Sequence, residues 1–380
     1  MVDILLVTNS RKNDRMWYSL RWRLTIQLLF AAGLGATSVP DRLARGDAQF
    51  NHGFYRSAIA EYEGALVLAE SPGAHADILY RLARAHGKLA EFSAAEQSYK
   101  QAIGIWRADG SYPRFALALA GLGEIYRVES RLDDVLGTEQ HALRILKLAG
   151  MGETQQAAAV LSITGAILHD RHRFKTAQKN LREALTILER TVGPDHPDFA
   201  LSLNTLGVVA SAQNHFAEAE VLLKRALSVR EARLGPAHPL IASTLVSLSW
   251  VYLEQKRYAE AEQTCRRALQ MMTLFFPDNH PDPIKAHILL AQTERRSGNF
   301  PAAISILEEV IRSVDAGSSA VSVEHVQVLE LYSRCLGDAG EKEKSRQFRN
   351  EARQLWKRYS DASAARSTVT FAELEAASLH

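Results

Sequence analysis

Three histidines, His196, His238 and His280, recur every 42 residues, and a proline follows each of them. Imidazole side chains are common metal ligands and general bases, so this set is the first candidate for chemistry in the chain. The regular spacing argues against a metal site. Metal ligands must converge to within about 2 Å of one ion, whereas equivalent positions of successive repeats lie roughly 10–20 Å apart. We therefore predict a structural role, in which each histidine bonds nearby backbone ahead of a proline that opens a helix.

No other group of side chains has the spacing of a reactive or cofactor-binding motif. The sequence contains no P-loop, no Rossmann glycine pattern, no Cys-x-x-Cys pair, no His-Glu-x-x-His helix and no Gly-x-Ser-x-Gly elbow. The net charge is +2, far from the basic balance that a phosphate-binding surface needs. We therefore expect a non-enzymatic protein with no cofactor, no bound metal and no nucleic-acid partner, whose function lies on a surface.

The helices that carry the histidines belong to one repeated unit. An aromatic residue recurs every 42 residues, and an alanine follows it three positions later; the aromatic column is Phe174, Phe216, Tyr258 and Phe300. Leucines three apart mark one face of a first helix, and the small residue after the second leucine allows a second helix to cross closely. A period of 20–50 residues is typical of solenoids in which each unit buries its apolar face on its neighbours. The pattern predicts an all-α array of about eight helical hairpins.

These columns resemble the tetratricopeptide repeat, a helix-turn-helix unit that is normally 34 residues long. The period of this chain is longer, and it resembles more specifically the 42-residue repeats of kinesin light chains and their bacterial relatives. The likeness rests on segments such as 193–198 (Gly-Pro-Asp-His-Pro-Asp), 216–220 (Phe-Ala-Glu-Ala-Glu) and 222–227 (Leu-Leu-Lys-Arg-Ala-Leu). It covers roughly residues 39–357 and is strongest from 158 to 282. It implies a superhelical solenoid that binds protein or peptide partners.

The repeat frame divides the chain into three parts. Residues 1–38 form a signal-like or anchoring segment, residues 39–357 the array, and residues 358–380 a C-terminal tail. Repeats are predicted to begin near residues 39, 76, 116, 158, 200, 242, 284 and 326. In the tail, Phe371 and Leu374 lie in a short amphipathic run that would suit docking to a partner or to the array itself.

The N-terminal segment has the three parts of a secretory signal. Basic residues including Arg21 and Arg23 precede an apolar run over residues 24–36, and small residues follow at Ala36 and Ser38. The run is shorter than the ~20 residues that cross a bilayer. Cleavage after Ser38 would make the protein exported or periplasmic. The alternatives are an uncleaved anchor, which is the only membrane contact we expect, or an extra helix that caps the first repeat of a cytoplasmic protein.

The first helices of such arrays line the concave side, so their residues outside the leucine columns are candidate contacts with a partner. The predicted groove residues are Arg84, Arg127, Leu201, Asn204, Val208, Val246, Trp250, Leu253, Lys285, Ile288, Gln292 and Arg295. We expect the apolar members to form an exposed strip around Trp250 and the cations to favour acidic side chains of the partner. Asn204 can donate to and accept from a ligand backbone. The alternative is that Trp250 packs against an adjacent repeat or the tail.

The sequence therefore predicts a scaffold that holds a peptide or a helix of a protein partner in its concave groove. A second interpretation is an adaptor or regulatory subunit of a larger enzyme or signalling assembly. In that case the convex face or the tail would make the contact.

Overall fold

The structure is a computed structural model that describes residues 38–129, 131, 138–317 and 322–366. These residues form sixteen α-helices and no strand. The helices are α1 (Val39–Asn51), α2 (Tyr55–Leu68), α3 (Pro72–Lys88), α4 (Phe92–Ala108), α5 (Tyr112–Val128), α6 (Thr138–Leu148), α7 (Gln155–Asp170), α8 (Phe174–Thr191), α9 (Pro197–Ala212), α10 (Phe216–Leu234), α11 (Pro239–Glu254), α12 (Tyr258–Met272), α13 (Pro281–Ser297), α14 (Phe300–Gly317), α15 (Val323–Asp338) and α16 (Lys342–Arg366). The signal-like segment up to residue 37 and the tail residues Phe371 and Leu374 lie outside the described residues.

Consecutive helices pair into eight antiparallel hairpins, which we number repeats 1–8, and each hairpin packs on the next. The predicted all-α solenoid is confirmed. The first helices of the repeats begin at residues 39, 72, 112, 155, 197, 239, 281 and 323, at most four residues before the predicted frame positions. The last helix, α16, continues to Arg366, so residues 358–366 of the predicted C-terminal tail are helical.

The small-residue columns allow the two helices of a hairpin to cross closely. A Cβ at Gly165 would lie 2.6 Å from Cγ of Leu181, and one at Gly207 would lie 2.8 Å from Cγ of Leu223. Such distances are too short for carbon atoms, so a side chain at either of these two positions would have to displace the leucine. In repeat 6, Ser249 takes this position and donates a hydrogen bond of 2.6 Å to the carbonyl of Ala261. The hairpin geometry therefore follows directly from the sequence columns.

The structural role predicted for the three histidines is confirmed. His196, His238 and His280 are the N-caps of α9, α11 and α13, and the proline after each is the first helical residue. The Nδ1 atom of each ring accepts a hydrogen bond from the backbone N–H two residues further on. A neutral imidazole whose Nδ1 accepts carries its proton on Nε2, so Nε2 remains available as a donor.

Each repeat presents two edges. At the turn edge the first helix ends and the second begins; at the loop edge the second helix ends and the next repeat begins. The turn edge of repeats 1–3 contacts the loop edge of repeats 6–8 through hydrogen bonds. The acceptors are backbone carbonyls at the C-terminal ends of the first helices of repeats 1–3. These bonds are His238 Nε2 to the carbonyl of Asn51 (3.1 Å), His280 Nε2 to that of Lys88 (3.2 Å) and the Tyr359 hydroxyl to that of Glu129 (3.2 Å). The array thus closes on itself five repeats along the chain.

Apolar contacts accompany these hydrogen bonds. The rings of Phe54 and Phe275 lie 5.6 Å apart, and Tyr55 is stacked on Phe276 at 6.2 Å. Gly53, with φ +84°, approaches Pro239 so closely that a Cβ would lie 2.5 Å from Cδ of the proline. The first helices therefore face the inside of a closed superhelical turn. Stacking between sequence neighbours alone does not predict this closure.

No helix within the described ranges is both long enough and apolar enough to cross a bilayer.

Candidate protein-binding groove

The first helices lie on the inner side of the superhelix. First helices of successive repeats contact one another, as α5 and α7 or α13 and α15 do, whereas second helices of successive repeats contact one another less. A layer whose members are closer together lies on the inside of a curve. This inner layer forms the concave wall, on which the groove was predicted from the sequence.

Trp250 is the centre of the solvent-facing part of this wall. Its side chain is 43% exposed, and Leu201 on the neighbouring helix α9 is 39% exposed. Val208 and Gln292 occupy the same repeat position as Trp250 on α9 and α13, 42 residues away in either direction, and both are half-buried. Val246 is half-buried one turn before Trp250. These five predicted residues lie on three consecutive first helices and form one largely apolar strip.

Two residues predicted for the groove are not part of its surface. Leu253 is fully buried in the core of repeats 5–7, and Ile288 is buried in the core of repeats 7 and 8 beside Val328. The expected exposure of both side chains was wrong because consecutive first helices touch. A residue on the flank of one first helix is then covered by its neighbours, although its spacing from the leucine column suggests a free surface.

Carboxylates of the array itself neutralise three of the four predicted cations. The ion pairs are Arg127 with Glu124 (2.7 Å) and Asp170 (2.5 Å), Lys285 with Glu324 (3.2 Å), and Arg295 with Asp338 (2.9 Å). Burial alone would lower the pKa of Arg127, but the two carboxylates outweigh it and raise that pKa. Arg84 is exposed, and its guanidinium lies 4.5 Å from the ring centroid of Phe50. The expected excess of positive charge around the groove is therefore largely absent.

Asn204 has a side-chain polar atom that makes no hydrogen bond to the described residues. Its Oδ1 is buried and has no hydrogen-bond partner in the part of the chain that the structure describes. Leu201 precedes it by three residues and therefore lies on the same face of α9. A buried acceptor without a donor costs about 1–3 kcal/mol. The side chain as a whole is half-buried, so a rotation that brings this oxygen to the surface would let it accept an N–H group from a bound segment.

Arg230 is a buried charge that the sequence interpretation missed. It lies on α10 and is 1% exposed, and its Nη1 donates to the carbonyl of Leu240 (2.7 Å) and to Oγ1 of Thr244 (2.5 Å). Burial lowers its pKa to about 10. Equivalent positions in other repeats hold Leu188 and Met272. An arginine in an otherwise apolar column was the signal that could have identified it.

The convex side has a cleft of about 550 Å³ between α10, α11 and α12. Its apolar walls are Leu227, Leu245, Leu248 and Tyr252. Thr264 opens this cleft, because Leu222 and Ile306 fill the same position in neighbouring repeats with larger side chains. Lys224, Arg266 and Arg267 surround the opening, and each makes an ion pair with a glutamate.

Among the described residues, no three histidine, cysteine or acidic side chains come close enough together to hold a metal ion.

Comparison with known proteins agrees with this geometry. The sequence matches the tetratricopeptide repeat family over residues 43–109, 156–232, 216–273 and 251–315, together more than half of the chain. No curated protein matches the sequence.

Solved structures with a similar fold include the Cut9–Hcn1 hetero-tetramer of the APC/C, with a TM-score of 0.51, 16% identity, and 83% of this chain and 59% of that chain covered. BtubC (BKLC) from P. vanneervenii has a TM-score of 0.43 and 22% identity, covering 62% of this chain and 92% of that one. A putative kinesin light chain from Podosopora anserina has a TM-score of 0.45 and 16% identity, covering 52% and 93%. The repeat columns, the hairpin geometry and the sequence matches agree, and the chain belongs to the tetratricopeptide repeat family.

Proposed function

We propose that the array binds a segment of a protein partner on its concave wall, centred on Trp250. Arrays of this family generally serve as protein–protein interaction scaffolds. The observation that carries the proposal is that the large apolar side chains of Leu201 and Trp250 are exposed on the concave wall, where Asn204 also has an Oδ1 without a partner among the described residues. The two apolar side chains offer surface for anchoring residues of the partner, and Asn204 offers an acceptor for a backbone N–H once its side chain turns towards the groove.

The closed superhelix limits the shape of the bound segment. Contacts such as those of Phe54 with Phe275 join the two edges, so the concave wall faces an enclosed space. This arrangement favours a narrow ligand, such as an extended peptide or a single helix. Because Arg127, Lys285 and Arg295 already have carboxylate partners, apolar contact and hydrogen bonding supply most of the affinity. Binding should therefore depend only weakly on salt concentration.

The proposal is tested by affinity capture with the intact chain and three variants. Trp250→Ala should reduce the partner retained about tenfold or more, as is typical of a central anchor residue. Asn204→Ala should reduce it roughly fivefold, because one hydrogen bond is lost. Val221→Ala is the matched control, since Val221 is 68% exposed on the second helix α10 of the neighbouring repeat. Equal capture by the wild type, Trp250→Ala and Val221→Ala would show that the partner does not bind at the groove.

The convex cleft favours a second candidate function, an adaptor that holds an apolar side chain of a larger assembly between α10 and α12. Thr264→Leu would fill the cleft, because it introduces the leucine that repeat 5 has at the equivalent position, Leu222. Loss of capture in Thr264→Leu with full capture in Trp250→Ala would favour the adaptor over the groove.

A further inference from the structure

The second helix of each repeat packs on the first helix of the next one, and α16 is the last helix of the described residues. On α14 the residues in this contact include Leu307, Ile311 and Val314, which lie in or against one core cluster with Val328 and Leu331 of α15. Leu307 is fully buried, and Val314 is 7% exposed. The corresponding face of α16, which we call the end face, is exposed in the structure.

The end face carries large exposed side chains where the array elsewhere has buried apolar ones. Forty-two residues after the three apolar residues of α14, the sequence has Arg349, Arg353 and Trp356. All three are exposed, Trp356 by 51%. Three exposed neighbours complete the face: Arg346, Asn350 and Lys357. A cap that served only to keep the end of the array soluble would need polar residues but no exposed tryptophan.

The positive charge of the end face is uncompensated. Its four cations follow one another at intervals of three or four residues, and like charges at this spacing destabilise a helix. The helix makes an ion pair elsewhere, between Lys344 and Glu341 at its N-terminus, but among the described residues none of the four cations does so. Three acidic residues of α16 leave them unpaired: Glu343, Glu351 and Asp361.

Trp356 is held in place by the contact that closes the superhelix. Its ring is stacked on that of Tyr359 at 5.8 Å. The hydroxyl of Tyr359 in turn donates to the carbonyl of Glu129 in repeat 3. A large aromatic side chain that is already ordered loses little conformational freedom on binding, so it suits the role of an anchor.

The columns of the end face make contact with a first helix wherever a further repeat follows. On α14, Glu308 accepts a hydrogen bond of 2.8 Å from the hydroxyl of Tyr332 on α15, and its column continues to Asn350. On α12, Cys265 donates a hydrogen bond of 3.2 Å to the carbonyl of Ala286 on α13, and its column continues to the first arginine of the triad. These columns favour a helix as the occupant over a nucleic-acid strand, which would not follow them.

We propose that the end face binds an acidic amphipathic helix of a partner protein, which lies on α16 where the first helix of a ninth repeat would lie. Two carboxylates one turn apart on that helix pair with Arg349 and Arg353, which are themselves about 6 Å apart along α16. An apolar side chain of the partner packs on Trp356. This site is independent of the groove, because the end face belongs to a second helix and the groove to first helices.

The first test is a fluorescence anisotropy titration of the full chain with a labelled helical peptide of about five turns, with glutamates four residues apart on one face and leucines beside them. The wild type should bind this peptide, and binding should weaken as the salt concentration rises. Arg349→Glu/Arg353→Glu and Trp356→Ala should each bind about tenfold more weakly or worse. Lys175→Glu/Lys179→Glu is the matched control and should bind like the wild type, because both lysines are exposed four residues apart on the second helix α8 and the change in net charge is the same.

The second test locates the contact. Cys265 and Cys335 are both buried, so an environment-sensitive dye reacts selectively with an introduced thiol. The emission of a dye on Asn350→Cys should shift when the peptide binds. The emission of a dye on Val221→Cys, an exposed position of α10, should not.

Several results would overturn the proposal. Equal peptide binding by the wild type and Arg349→Glu/Arg353→Glu, or no shift at position 350, would show that the peptide does not bind the end face. Loss of peptide binding in Trp250→Ala would place the peptide in the groove instead. Binding of a single-stranded oligothymidylate, but not of the peptide, would assign the end face to nucleic acid. A wild-type dimer that becomes monomeric in Arg349→Glu/Arg353→Glu, without peptide binding, would assign it to a second copy of the chain.

Discussion

Acidification should loosen the contact between the two superhelical turns at His238. This side chain is almost completely buried; its Nδ1 accepts from the N–H of Leu240 and its Nε2 donates to the carbonyl of Asn51. Burial lowers the pKa of His238 to about 4, and the nearby charges of Arg230 and Lys88 act in the same direction. Protonation would place a hydrogen on Nδ1 and remove the acceptor that caps α11.

The sign and the size of the effect follow from linkage. The pKa is depressed in the closed state, so its contribution to stability is fully present above the ordinary histidine value of about 6.5 and is lost as the pH falls towards 4. With these two values, the free energy of closing decreases by up to about 2 kcal/mol between pH 7 and pH 5. The opening equilibrium should accordingly rise by up to about twentyfold.

Hydrogen exchange of the Leu240 amide measures this directly, because that N–H donates to His238. After correction for the intrinsic pH dependence of exchange, its protection should fall between pH 7 and pH 5 in the wild type. His238→Asn keeps an N-cap acceptor but does not titrate, so its protection should be independent of pH. Parallel pH responses in the wild type and His238→Asn would show that protonation of His238 does not control the opening.

Two substitutions test the packing described above. Gly53→Ala should lower the free energy of unfolding by several kcal/mol more than Gly298→Ala, because both glycines have positive φ but only a Cβ at position 53 would clash with Pro239. Equal losses of stability in chemical denaturation would mean that the turn edge makes no close contact at Gly53. Arg230→Met should leave the free energy of unfolding unchanged or raise it by about 1–2 kcal/mol, because it replaces a buried guanidinium that has no carboxylate partner among the described residues with the side chain found at Met272 in the next repeat. A marked loss of stability in denaturant would show that the hydrogen bonds of Arg230 outweigh its desolvation.

Much of the candidate site could be predicted from spacing alone. Trp250 and Leu201 point to solvent as expected, because their distance from the leucine columns places them on the opposite side of the helix. Leu253 and Ile288 could not be assigned correctly, because their burial depends on how far each first helix turns towards the next repeat. Asp170, the second acid that pairs with Arg127, and Asp338, which pairs with Arg295, each lie 43 residues further on, in the last turn of the next first helix. A search for local charge patterns overlooks pairs at that distance.

The repeat unit could be predicted from the sequence alone: the 42-residue period, the helical hairpin, the N-caps at His196, His238 and His280, and the stacking of neighbours. These features depend on contacts within one repeat or between adjacent ones, so residue type and spacing suffice. The closure of the array, with the contact of His238 to Asn51 187 residues away, is seen first in the three-dimensional structure. Closure depends on the sum of small rotations between successive repeats. No single column encodes that sum, and it becomes visible only when all the helices are packed together.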